Sequence, residues 1–220
     1  MKNTWIVVPV TSNELDLTDF INKLSGGYTA PEKITISKIN EETKQLEEVE
    51  IDHPYAGQNG PSFEGKIILV NMLEGYEIYD KSVGIESFGE PNIPRLMNAG
   101  IEYAKNNSAD KIFVLSNPCD FDTFIVDEAI KKMKNTEIIN LSDGVAFILD
   151  GETDIRLDEN FKVWYWAEDL YKSAEGKTSY YRSNFMNLVE LIPFNVDTED
   201  RIEYTKEDEL FYKNKWQASI

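Results

Sequence analysis

Short, continuous apolar runs alternate along the chain with segments whose apolar residues recur every three or four positions. Trp5-Ile-Val-Val-Pro-Val10, Lys66-Ile-Ile-Leu-Val-Asn71 and Asp110-Lys-Ile-Phe-Val-Leu-Ser-Asn117 show the first pattern, that of strands buried on both faces of a sheet. Pro9 lacks an N–H, so the first strand is expected to leave the central ladder near its end. Glu137-Ile-Ile-Asn-Leu141 and Gly144-Val-Ala-Phe-Ile-Leu149 read as two more strands, the second turning at Asp150-Gly151. Lys33-Ile-Thr-Ile-Ser-Lys-Ile39 alternates as a half-exposed strand does. Val49 and Ile51 resume that alternation after a polar turn around residues 42–44, which predicts a hairpin.

The helical spacings fall between the strands. Leu17, Phe20, Ile21 and Leu24 lie on one helix face, closed by Gly26-Gly27. Asn92 to Ala104 reads as a helix with Pro94 in its first turn and Ile93, Leu96, Met97, Gly100, Ile101 and Ala104 on its buried face. Gly100 weakens a helix, so its presence there predicts close approach to a strand or a ligand. Ile125, Ala129, Ile130 and Met133 mark another helix. A short one carries Leu170 and Ala174, and a terminal one runs from Glu207 to Trp216. Strands alternating with helices, with no linker or internal repeat, predict a single compact α/β domain with a mixed, mainly parallel sheet flanked by helices.

Composition narrows the function classes. A chain of 220 residues with 41% hydrophobic content can bury a sizeable core. Its formal charge of -18 opposes general coating of nucleic acid, though it leaves room for a local basic groove, for which Lys172, Lys177 and Arg182 are the candidates. One cysteine, Cys119, excludes an internal disulfide. One histidine, His53, argues against a histidine-rich metal site or a Ser-His-Asp triad, and in its loop it is expected to be solvated. No long apolar run or signal-peptide pattern is present, so a soluble, cytoplasmic protein without a membrane anchor is expected.

The chemistry-bearing residues sit where strands end. Thr11 follows the first strand, and ligands of open α/β sheets bind at such tips. Asn98 is more polar than a plain core helix needs. Asp120 and Asp122 lie just past another strand tip, where they could hold a divalent ion against a diphosphate; a turn and helix N-cap is the alternative reading. In Phe161-Lys-Val-Trp-Tyr-Trp-Ala-Glu-Asp-Leu-Tyr-Lys172, aromatics lead into adjacent carboxylates, Glu168 and Asp169. Such a stretch offers a platform for the apolar face of a sugar and a carboxylate to act as base. It also suits an aromatic core strand entering a helix N-terminus.

Taken in order, these pieces resemble the GT-A nucleotide-sugar glycosyltransferases, especially the family 2-like group. The resemblance rests on Val7-Val8-Pro9-Val10, on Asn98-Ala99-Gly100, on the strand Ile112 to Asp120, on Trp166-Ala167-Glu168-Asp169 and on Lys215-Trp216. It implies a GT-A (Rossmann-like) fold, with residues 1–122 as the donor-nucleotide half and 123–220 as the acceptor half. By the same resemblance Pro9, Thr11, Asn98 and Asn117 bind the donor, and Asp120 or Asp122 holds a manganese or magnesium ion. Asp169 is then the base of an inverting transfer to an acceptor hydroxyl, Glu168 positions the acceptor, and Trp164 and Trp166 form its platform. The acceptor is a glycan, a small hydroxylated molecule or a hydroxymethylated base of bacteriophage DNA; a non-catalytic nucleotide-sugar binding module is the alternative. The chain departs from the pattern at Ser116-Asn117-Pro118-Cys119, where the acidic turn is expected. It also has Pro193-Phe194-Asn195 in place of a metal-binding histidine, and Tyr171 in place of a second acidic residue.

Overall fold

A computed structural model describes the chain except for residues 2, 11–16, 41–43, 72–81, 87–91, 117, 134–135, 143–144, 182–188, 191–197 and 217–220. The first strand, β1 (Thr4–Val10), leads to helix α1 (Thr18–Asn22), which continues into a π-helical turn, Lys23–Gly27. A hairpin of β2 (Lys33–Ile39) and β3 (Leu46–Asp52) follows, then β4 (Ile67–Asn71) and β5 (Ser82–Glu86). Helix α2 (Ile93–Asn106) precedes β6 (Lys111–Leu115), the short β7 (Cys119–Asp120) and α3 (Thr123–Lys132). The rest comprises β8 (Ile138–Ser142), β9 (Ala146–Asp150), α4 (Trp166–Ser173), β10 (Thr178–Tyr180), β11 (Val189–Glu190) and α5 (Thr198–Trp216).

Seven strands form the main sheet in the order β10-β8-β9-β6-β1-β4-β5. All neighbours are parallel except where β9 runs against β6 and β8. The chain steps outward from β1 through β4 to β5, and α2 then carries it back to β6 on the other side of β1. Strand order therefore reverses between β1 and β6, and the crevice at their C-terminal ends is the place where open α/β sheets hold ligands.

Pro9 does not take β1 out of the sheet. The strand stays paired with β4 through Pro9↔Val70 and Val10↔Asn71, whereas its pairing with β6 stops at Val7↔Val114. Ile6 N–H donates towards β4, to Lys66 O, at 3.0 Å. Alternation of backbone direction then turns the Pro9 nitrogen towards β6, beyond the end of that ladder, where no donor is needed.

Alternate residues of the strands feed two apolar layers. Ile6, Val8 and Val10 pack with Phe20, Ile21 and Leu24 and with Val126 and Ala129 of α3. Val7, Val70, Val114 and Phe147 pack with Leu96, Met97 and Ile101 of α2 and with Trp166 and Leu170 of α4. Asn92 caps α2 by accepting from Arg95 N–H at 2.8 Å, with Pro94 in the first turn. A Cβ on Gly100 would stand 2.4 Å from Val7 Cγ1 and 2.9 Å from Val70 Cγ2, so the close approach that glycine permits is to the sheet.

The reversal of β9 has a structural cost in chain length. It ends at Asp150 beside Lys111, at the start of β6, so the chain must travel back along the sheet. It does so against α2. Lys105 Nζ donates to Thr153 O, the Asn98 amide exchanges bonds with Leu157, Asn92 Nδ2 donates to Glu159 O and Ile93 N–H donates to Lys162 O.

Candidate active site

The return along α2 delivers the chain to a tight turn before α4. Tyr165 adopts φ 59, a left-handed conformation that is strained for a bulky side chain. Trp166 N–H reaches Trp164 O at 2.8 Å, and Asp169 N–H reaches Tyr165 O at 2.9 Å. The turn sends the two indoles different ways. Trp166 is buried against Phe147, with ring centroids 6.2 Å apart, whereas Trp164 is 42% exposed. Trp164 thus presents its ring to solvent, and Trp166, expected to share a platform with it, belongs to the core.

The adjacent carboxylates also diverge. Glu168 faces solvent, while Asp169, three residues after Trp166 on the inward face, is 2% exposed. Asp169 Oδ1 accepts from Trp216 Nε1 and from Lys215 Nζ, both at 2.7 Å. Its Oδ2 takes no bond among the described residues. Lys215 also reaches Asp158 Oδ2 at 2.8 Å. Burial works to lower the Lys215 pKa, but its bonds to Asp158 and Asp169 outweigh that and hold it above its ordinary value. The ammonium therefore stays charged between the two carboxylates.

Thr11 and Asn117 lie outside the described residues, and Asp120 is described through its backbone only. Asn98 is buried with its amide committed: Nδ2 donates to Leu157 O at 2.9 Å and to Glu159 Oε1 at 2.8 Å, and Oδ1 accepts from Leu157 N–H at 3.1 Å. Its visible work is to hold the return segment.

Asp122 is the N-cap of α3, its Oδ1 accepting from Phe124 N–H at 2.8 Å. Its Oδ2 lies 2.6 Å from Nε2 of His53, whose side chain is fully buried. His53 is thus not the solvated loop residue expected. Its Nδ1 accepts from Tyr55 N–H at 3.0 Å, which places the ring proton on Nε2, donating to Asp122. Nearby, Glu128 accepts from Tyr55 Oη through one oxygen and from Tyr181 Oη, at 2.5 Å, through the other. These bonds hold the Glu128 carboxyl below its usual range, while burial and the bond to Glu128 push Tyr181 up to about 12.

Among the described residues no group of three or more His, Cys, Asp or Glu is placed to hold a metal ion. Asp122, with both oxygens bonded by protein donors, does not fit a metal ligand without giving up its cap or its histidine. The candidates for a basic groove are described in part. Lys177 pairs with Glu137 at 3.0 Å and Asp154 at 3.5 Å, Lys172 lies over the rings of Tyr212 and Trp216, and Arg182 lies outside the described residues.

No family model and no curated protein matches the sequence. A solved structure does match in shape: the crystal structure of S. aureus TarS 1-349, at 10% identity and a TM-score of 0.55, over 97% of this chain and 66% of that one. The architecture, a mixed and mainly parallel sheet flanked by helices, is GT-A-like. This chain spans 66% of the TarS structure, and at such identity the likeness is one of architecture alone. No helix among the described residues is long and apolar enough to cross a membrane.

Seen in that fold, the structure brings Asp169 together with Lys215 and Trp216, which the sequence pattern had matched separately. It adds two residues the pattern passed over, Asp158 and Asp208. Both read as surface charges in a linear chain, and only their partners distinguish them.

Proposed function

We propose that the protein is a glycosyltransferase that moves a sugar from a nucleotide-sugar donor to an acceptor hydroxyl by single displacement. The observation that carries this reading is Asp169: a buried carboxylate whose partners among the described residues, Trp216 and Lys215, both bond Oδ1, on a helix that begins two residues after the exposed Trp164 in a GT-A-like fold. Oδ2 takes the proton of the acceptor hydroxyl as that oxygen bonds to the anomeric carbon. The bond from that carbon to the diphosphate oxygen breaks on the opposite side, and the nucleoside diphosphate leaves with the electron pair, so configuration inverts.

The donor belongs at the C-terminal crevice between β1 and β6, with residues 1–122 as its half of the domain and Pro9, Thr11 and Asn117 at the strand tips. Asn98 serves from behind, by fixing the segment that carries the base. Trp164 is the acceptor platform, and Glu168, exposed one residue before Asp169, receives acceptor hydroxyls. An uncharged hydroxylated acceptor suits this site better than DNA, because Lys177 is paired with carboxylates and Lys172 is stacked on aromatic rings. No metal-dependent step is assigned, since Asp122 is engaged by Phe124 and His53.

The test is slow hydrolysis across a panel of UDP-, GDP- and dTDP-sugars, with wild type beside Asp169→Asn. Turnover of one donor by wild type and its loss in the variant are expected. Absence of both binding and turnover for every donor would overturn the reading.

A further inference from the structure

Helix α5 is strongly polar, and it is tied to the body through particular side chains. The most buried of these ties has no place in the reaction described above. Asp208 is 1% exposed. Its Oδ1 accepts from Lys162 N–H and its Oδ2 from both Val163 N–H and Trp164 N–H, each at 2.8 Å. One carboxylate thus gathers three consecutive amides immediately before the strained Tyr165. A positive φ at a bulky residue persists only where its surroundings over-determine it. Here α5 supplies those surroundings, with Tyr212 5.1 Å from the Tyr165 ring and Phe211 edge-on to Phe161 at 4.9 Å.

We infer that Asp208 is a positioning residue of the transfer site. By fixing the backbone of residues 162–164 it directs the exposed Trp164 ring and sets where α4 begins, and α4 carries Asp169. The same helix then meets Asp169 itself through Lys215 and Trp216, so one element holds the base from its backbone side and from its carboxylate side. A buried charge accepting three amide protons is rigid in a way that a single cap is not, since each amide removes one degree of slack. Small displacements of a reacting group are costly: a misplacement of about 1 Å can lower rate by about a hundredfold.

This inference rests on the glycosyl-transfer reading, and its test separates the two. Hydrolysis of UDP-, GDP- and dTDP-hexoses, with water as acceptor, is measured for wild type, Asp208→Asn and Tyr165→Gly, beside hydrogen exchange of the amides at 162–164. In Asp208→Asn those amides are expected to lose protection, and kcat to fall about tenfold or more with donor KM within about twofold. Tyr165→Gly leaves Asp208 in place and relieves the positive φ, so the fold is kept while the turn loosens, and the same fall in kcat is expected. If Asp208→Asn does not fold, Asp208→Glu, which keeps the charge but displaces its oxygens by one methylene, decides by the same criteria. Lost amide protection with unchanged kcat would leave Asp208 a structural tie and overturn the inference alone. A wild type that hydrolyses none of the donors would remove the transfer reading, and this inference with it.

Discussion

Asp122 and Asp169 stand at the starts of two helices on opposite faces of one sheet, both nearly buried, and their surroundings prepare them for different work. Asp122 has a rigid donor on each oxygen, the Phe124 amide on one and the His53 ring on the other. Around it Tyr55, Glu128 and Tyr181 satisfy one another as well. Asp169 takes both of its donors among the described residues on a single oxygen, on a helix that begins two residues after the exposed Trp164. Both are buried; what separates them among the described residues is whether one oxygen or two carry a donor. A carboxylate closed on both sides is committed to its helix, and one closed on a single side is the arrangement that the proposed transfer calls for.

The largest effect should come from comparing the two as catalysts. Asp169→Asn is expected to lower donor hydrolysis by about 10²–10⁴-fold. Asp122→Asn, assayed well below its unfolding temperature, should remain within about threefold of wild type. Equal losses would erase the distinction.

Stability should rank them the other way. Asp122→Ala removes the cap of α3 and leaves the His53 ring N–H without its acceptor, a loss of about 2–4 kcal/mol and of about 5–15 °C in Tm. Asp169→Asn keeps an acceptor oxygen for Trp216 and should unfold closer to wild type by calorimetry. A smaller difference concerns metal. The manganese response of donor-induced thermal stabilisation should be the same in wild type and Asp122→Ala; its disappearance in the variant would make Asp122 a ligand after all.

The smallest effect is on the alkaline side of the Asp122 cluster. Burial, then the bond to Glu128, raises Tyr181 to about 12 from its ordinary 10.0. A group whose folded pKa is raised stabilises the fold fully below its unfolded pKa and loses that contribution as pH climbs through the folded one. Wild type should therefore lose urea resistance between about pH 10 and 12 more steeply than Tyr181→Phe. Parallel slopes would show that the pair contributes little.

Much of the fold could be read in the chain because its strands are apolar on both faces and its helices carry clear stripes. Gly100 was legible for the same reason, being a small residue in the middle of a buried stripe. Helix α5 begins at Thr198, well before Glu207, because Asp200-Arg-Ile-Glu-Tyr204 carries no apolar stripe to betray it. Asp208 was hidden by its neighbours: amid Lys206-Glu-Asp-Glu209 a buried carboxylate looks like any solvated one. His53 and Asp122 are 69 residues apart, so no local pattern could show that they meet. The pair Trp164 and Trp166 looked equivalent in sequence, and only the left-handed Tyr165 between them sends one inward.

The reversed strand β9 makes the segment after it a ruler. Because that strand ends level with the start of β6, the distance back to Asp169 is spanned by a fixed count of residues, pinned to α2 at Lys105, Asn98 and Asn92. Removing one residue from residues 153–162 would shift the turn at Tyr165 by as much as about 3.3–3.6 Å, more than the reach of a hydrogen bond. The position of Asp169 is thus recorded as a length of chain, and sequence change there can alter side chains far more freely than it can alter number.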